Sequence, residues 1–174
     1  MKAVVQRVFS ASVSVDSELI SSIGRGLCVL IGIARTDSDG DIEYMVRKIL
    51  NTRLFESDSG KRWDKSVQAL NLEILCVSQF TLYCTLKGNK PDYHLSMNSS
   101  EAPQFYDKFI ECLRKQYKPE LVKDGKFGAY MSVNIVNDGP VTITLDSDRS
   151  GGANQLIADE KNEKVTSAEN DDVS

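Results

Sequence analysis

The side chains able to do chemistry are few and scattered. A hydrolytic nucleophile needs a base to take its proton, and the chain has one histidine, His94, in the segment PDYHL. No G-x-S-x-G elbow accompanies it, and an isolated loop histidine is more often a surface residue than a triad member. A zinc site would need about four Cys, His or carboxylate ligands at short local spacings. Cys28, Cys76, Cys84 and Cys112 lie far apart, with no C-x-x-C. The phosphate-loop pattern G-x-x-x-x-G-K-[ST] is missing, and the G-x-G of ISSIGRGLC reads as a tight turn between strands. No metal and no cofactor is expected, and no general base is evident.

Two segments stay unexplained. SQFTL, residues 78–82, puts Ser78, Gln79 and Thr81 at the end of ILCVSQFTL, an otherwise apolar strand candidate. Polar side chains there cost free energy unless paired, so they either bond neighbouring backbone or line a reaction site. NDGPVT, residues 137–142, lies between two runs that alternate like strands, FGAYMSVNIV and VTITL. Asn-Asp-Gly suits a hairpin turn, yet Pro140 opens the second run, where it cannot donate a ladder hydrogen bond. Gly139-Pro140 is either turn punctuation or a working part.

Two loops mix basic and aromatic residues. KGNKPDYH holds Lys87, Lys90 and Tyr93, and KDGKFGAY holds Lys123, Lys126 and Phe127. Such loops can touch phosphates and stack on bases. From composition alone they equally fit solvated connections.

The elements that must position these residues follow from apolar spacing. Residues 2–8 and 12–15 alternate as strands, with a turn near Asp16-Ser17, and LCVLIGIA (27–34) is a continuous apolar run that reads as a buried strand. Ile42, Met45, Val46, Ile49 and Leu50 lie three and four apart, one face of a helix. Arg53 to Phe55 reads as a short strand, and residues 56–66 as a loop or long hairpin. Residues 87–100 look irregular. Ser99 or Ser100 is expected to cap a second helix carrying Phe105, Phe109, Leu113 and Tyr117 on one stripe, stopped by Pro119. This order predicts an α+β fold: a mostly antiparallel sheet or barrel-like body covered by two main helices.

The bulk properties bound the rest. A chain of 174 residues, 41% hydrophobic, is one domain with a real core. No apolar run is long enough to span a membrane, and the N-terminus turns polar at Gln6 and Arg7, unlike a signal peptide. The expected location is therefore intracellular, with reduced thiols. Residues 151–174 hold six acids against two bases, which accounts for the whole net charge of −4 and leaves a neutral body. The expected division is a folded domain over 1–146 and an acidic, disordered tail over 147–174. A neutral body is compatible with an anionic partner.

Taken together, MKAVVQRV, SQFTL, KGNKPD, KDGKFGAYM and NDGPVT carry a resemblance. Over residues 1 to about 146 the chain resembles the D-aminoacyl-tRNA deacylases, most closely the animal cytosolic form. Ser78 and the NDGPVT surround favour the D-amino-acid branch over a related branch that handles L-alanine. The resemblance implies a homodimeric hydrolase, cytoplasmic with nuclear presence possible. It implies cleavage of the ester linking a D-amino acid, or glycine, to the 3′ end of tRNA.

It implies a cis peptide between Gly139 and Pro140, held by Arg7 and inserted into the partner subunit's site. Carbonyl oxygens there would reject L side chains by clash, without reading them. It further implies that the terminal ribose 2′-hydroxyl helps to activate water. The protein would supply positioning and an oxyanion site from amides around Gln79 and Phe80, with Ser78 and Thr81 alongside. Whether Thr81 attacks, orients water or packs stays open, a non-nucleophilic role being favoured because nothing in the sequence deprotonates it. Phe127, Ala129 and Met131 would form the adenine pocket, and Lys87 and Lys90 would approach acceptor-stem phosphates. The alternative reading is a non-catalytic nucleic-acid-binding module.

Overall fold

Alternation at the N-terminus produces one strand, not two. In the computed structural model, which describes residues 1–148, β1 (Lys2–Val15) runs unbroken. Phe9 is an extra residue between the pairs Val8–Asn137 and Ser10–Val136, a β-bulge. The bulge changes the phase of the alternation. Ala3 and Val5 enter one core with Met1, and Val8, Ala11 and Val13 enter a second core.

The turn at Asp16-Ser17 forms as expected, with φ of 51° and 67°, the left-handed pair a tight hairpin requires. It leads into β2 (Glu18–Ile23), which pairs with the far half of β1, while β3 (Gly26–Gly32) pairs with the near half. Next come α1 (Asp39–Asn51), the small ribbon β4 (Arg53–Phe55) with β5 (Lys65–Ser66), and β6 (Glu73–Ser78). A 3-10 helix follows over Phe80–Tyr83, then the hairpin β7 (Thr85–Lys87) and β8 (Lys90–Asp92), α2 (Ala102–Gln116), a second 3-10 turn at Pro119–Leu121, β9 (Val122–Asp124) and β10 (Ser132–Asp146).

The main sheet has the order β10-β1-β3-β6-β9, with β2 also on β1. Its β1 pairings are antiparallel, whereas β3–β6 and β6–β9 are parallel. The sheet curls into a nearly closed barrel, and α1 and α2 cover one face, so the expected α+β class holds. Strands β3 and β6 are buried on both faces: Leu27, Val29, Ile74 and Cys76 meet the helices, while Cys28, Leu75 and Val77 face the second core. Burial on both sides is why these two strands are continuously apolar in sequence.

Three expectations are corrected. The NDGPVT segment is not a hairpin. Residues 132–146 form a single strand paired throughout with β1, in which Arg7 faces Val141 and Val8 faces Asn137. Asp138, Gly139 and Pro140 are therefore looped out of one strand. Three extra residues, an odd number, reverse which side odd-numbered residues face. So Val133 and Ile135 pack on the second core, and Val141, Ile143 and Leu145 on the helix-side core. Second, SQFTL does not continue a strand: β6 stops at Ser78, and the polar residues leave the sheet. Third, residues 87–92 are not irregular but belong to the β7–β8 hairpin, with Gly88 at its tip at φ 63°.

The first helix buries the five residues its spacing predicted. The second buries Ala102, Tyr106, Phe109, Ile110 and Leu113, leaving Phe105 and Tyr117 at the edge of the core. A spacing of four overshoots a 3.6-residue turn, so a strict i+4 stripe precesses off the buried face. Its N-cap is Glu101, without a side-chain cap bond, in place of the expected serines. All four cysteines are free. Ser147 is buried; its N–H donates to the Met1 carbonyl at 2.9 Å and its hydroxyl to Asp41 at 2.6 Å. The rest of the expected tail, from 149, lies outside the described residues. No helix among the described residues is long and apolar enough to cross a membrane.

Candidate active site

Where β6 ends, the chain turns out of the sheet and a cavity opens. The Gln79 N–H donates to the Ile31 carbonyl at 2.7 Å, the last ladder bond before the 3-10 helix. Gly32 lets that helix sit against the sheet: a Cβ there would come within 2.8 Å of Leu82 Cβ and 3.2 Å of the Gln79 carbonyl. Lys2 adds a cation over the Tyr83 ring, 5.0 Å from its centroid.

The helix start leaves donors exposed. The first N–H groups of any helix lack an internal acceptor. The Gln79 amide, one of the expected oxyanion donors, is already used by Ile31. Among the described residues the amides of Phe80 and Thr81 have no acceptor. The Phe80 carbonyl accepts from the Ser96 hydroxyl at 2.9 Å, and its ring meets Tyr93 edge-on at 4.9 Å. The Gln79 side-chain amide donates to the Thr81 hydroxyl.

The cavity beside these groups has a volume of about 440 Å³. Ser78, Gln79, Phe80 and Phe127 line it, with Tyr93, Ser96, Met97 and Asn98 opposite. Phe127 is set by packing on Tyr106, centroids 5.4 Å apart. The lining holds apolar walls, hydroxyls, two amide side chains and one phenol, but no histidine, carboxylate, lysine or arginine.

The other sequence candidates are distributed as follows. Thr81 is not in the lining; it is half-buried, and its hydroxyl is bonded to the Gln79 side chain. Ala129 closes a turn by donating to the Lys126 carbonyl at 3.2 Å, and Met131 packs into the second core, so neither lines the cavity. Lys87 and Lys90 project from the β7–β8 hairpin; Lys87 pairs with Asp92 at 2.5 Å. Asp92 also accepts from the His94 ring and N–H. These bonds, led by Lys87, hold the Asp92 carboxyl well below the usual carboxylate range.

Arg7, Gly139 and Pro140 line a different cleft, of about 310 Å³. The Gly139-Pro140 peptide is cis. Arg7 reaches the looped-out segment through Asp138: its terminal NH2 nitrogen donates at 3.2 Å, and Nε lies 3.1 Å from the carboxylate without hydrogen-bond alignment. Its other terminal nitrogen donates to the Leu54 carbonyl at 2.6 Å. Gly139 has φ 122°, and a Cβ there would lie 2.8 Å from Val141 Cγ2, so only glycine fits.

Sequence reasoning did not single out Ser96, Met97 and Asn98, which lie between β8 and α2, nor Trp63, which lines the second cleft. A run of small polar residues before a helix reads as a cap, and nothing in it signals a wall. Trp63 did carry a local signal: a lone tryptophan in a polar hairpin loop.

Comparison with known proteins places these observations. Residues 4–146 match the family model described as D-Tyr-tRNA(Tyr) deacylase. The chain is 64% identical over 153 residues to "D-aminoacyl-tRNA deacylase 1" of Homo sapiens, covering 88% of this chain and 73% of that one. It is 60% identical over 147 residues to "D-aminoacyl-tRNA deacylase" of Drosophila melanogaster, covering 84% and 92%. A solved structure described as "c-Myc DNA Unwinding Element Binding Protein" superposes with TM-score 0.82 at 65% identity, covering 84% of this chain and 99% of that one.

Proposed function

This chain belongs to the D-Tyr-tRNA(Tyr) deacylase family, and we propose that it is a carboxylic ester hydrolase acting on D-aminoacyl-tRNA and glycyl-tRNA in the cytoplasm. Water adds to the ester carbonyl, the bond to the ribose oxygen breaks, and the products are the free amino acid and tRNA. The observation that carries this reading is the cavity at the end of β6: an amide without an acceptor at Phe80, an aromatic wall at Phe127, and no acid or base in the lining beyond one phenol.

Such a site positions an ester and its developing oxyanion but needs a proton acceptor from elsewhere. The substrate's own terminal 2′-hydroxyl supplies it by helping to activate water. Ser78, Gln79 and Phe80 present the ester, Thr81 orients Gln79, and Phe127 stacks on the terminal adenine. Lys87 and Lys90, on the β7–β8 hairpin, approach the acceptor-stem phosphates.

Chirality is selected by the carbonyl oxygens of Gly139 and Pro140, which crowd the direction of an L side chain. Rejection by backbone does not depend on which L side chain arrives, and glycine passes because it presents nothing to clash. In one chain this segment and the cavity line different clefts, which favours a homodimer in which each subunit's segment completes its partner's site. The test is incubation with D-Tyr-tRNA and L-Tyr-tRNA. Release of D-Tyr alone is expected; equal rates, or no release of D-Tyr, would sink the reading.

The 65%-identical structure described as a DNA unwinding element binding protein favours one second reading, a nucleic-acid-binding module without catalysis. It predicts salt-dependent binding and no ester cleavage, so the same incubation separates the two.

A further inference from the structure

The cleft that holds Gly139 and Pro140 has a wall with no role so far. It is shared by Arg7, Glu56, Arg62 and Trp63. Trp63 is 56% exposed, contributes to neither core, and is the chain's only tryptophan. Its φ is 57°, a left-handed conformation that glycine or asparagine adopts far more readily than a bulky aromatic. The surrounding hairpin holds it there. The Asp64 N–H donates to the Phe55 carbonyl at 2.9 Å, the Ser57 N–H donates to the Lys61 carbonyl at 3.0 Å, and Lys61 pairs with Asp64 at 3.2 Å. The loop itself is served by any small residue at this position, so the indole needs another explanation.

We propose that Trp63 is a specificity-determining residue, which packs against the side chain of the D-amino acid and grades D-substrates by their apolar surface. This rests on the deacylase reading above and deepens it. Backbone carbonyls at Gly139 and Pro140 distinguish D from L but present no side chain with which to tell one D-residue from another. The other walls of the same cleft travel with that segment and can supply such grading. Trp63 is the large apolar one, and about 310 Å³ is room for a single aromatic side chain. An indole face stacks on aromatic and aliphatic groups and offers little to a carboxylate. The site therefore favours D-Tyr and D-Phe over D-Ala, which presents little surface to the indole, while remaining open to glycine.

The test uses the full chain and takes glycyl-tRNA, which has no side chain, as internal reference. The ratio of kcat/KM on D-Tyr-tRNA to that on glycyl-tRNA is expected to fall about five- to tenfold in Trp63→Ala, the size of a lost aromatic pair, mainly through KM. It is expected to recover in Trp63→Phe. An unchanged ratio in Trp63→Ala overturns the proposal, because a folding defect or a lost nucleotide contact lowers both substrates together.

The lone tryptophan gives a second readout in the wild-type protein. D-phenylalanine joined by an amide to 3′-amino-3′-deoxyadenosine should shift or quench Trp63 emission, and the glycyl analogue should not. Equal responses, or none, overturn the proposal. A wild-type protein that releases glycine and D-Tyr while failing these tests leaves the deacylase reading standing. One that releases neither ends both.

Discussion

At the scale of single residues, the cavity is defined by atoms already committed elsewhere. The Gln79 amide is spent on Ile31, and the Thr81 hydroxyl is tied to the Gln79 side chain. Thr81 therefore has neither an exposed position nor a neighbouring base. Thr81→Ala should keep D-Tyr-tRNA hydrolysis within about tenfold of wild type, since loss of a proton-transferring group costs roughly a hundred- to ten-thousandfold. A loss of roughly a thousandfold in single-turnover assays would restore Thr81 as a reacting group. At Gly139 the sequence was readable for a different reason: φ 122° and a Cβ position 2.8 Å from Val141 leave one residue type. Trp63, in the same cleft, takes a φ of 57° although it is a bulky aromatic.

Elements carry the site through their endings more than their lengths. The 3-10 helix at Phe80–Tyr83 rests on Gly32, where Leu82 and the Gln79 carbonyl approach within 2.8 and 3.2 Å of a Cβ position. Gly32→Ala should push this helix off the sheet, costing about 1–3 kcal/mol of stability and a larger share of activity. Urea unfolding and kcat/KM measured on the same preparation check this; full activity with intact stability would show that the seat is not needed.

The β7–β8 hairpin depends on Asp92, whose carboxyl is depressed by Lys87 first and by His94 next. A depressed acid contributes its full stability above its unfolded value, about 3.9, and loses it progressively as pH falls from there through the lower folded value. Carbon NMR of the Asp92 carboxyl should accordingly show it still ionised near pH 3, about one unit below the ordinary value. A midpoint close to 4 would show that the pairing is not formed in solution.

At the scale of the whole molecule, one chain leaves its parts in two clefts: Ser78, Gln79 and Phe80 in one, Gly139 and Pro140 in the other. If each subunit completes its partner's site, an inactive variant in the first cleft and one in the second should complement. Mixed and re-paired at equal ratio, they should regain about one quarter of wild-type activity, from one intact site in each mixed dimer, the mixed dimers being about half of the total. No recovery after verified subunit exchange would place both clefts on one subunit's site.

Much of the fold was legible in the chain because its signals are local. The α1 stripe, the two-sided burial of β3 and β6, the Asp16-Ser17 turn and the four unpaired thiols each follow from residue types within a few positions. The family was legible in the short motifs SQFTL and NDGPVT taken together. The path of NDGPVT was decided only by tertiary structure. Turn chemistry is the same whether a chain reverses or loops out of a strand that then continues, and the choice belongs to β1, long enough to pair with both halves. The same holds for the neighbours brought to Phe80 and Pro140. Ser96 and Trp63 meet them across stretches of chain that no spacing rule links, because the sheet's curl, not the sequence interval, sets those distances.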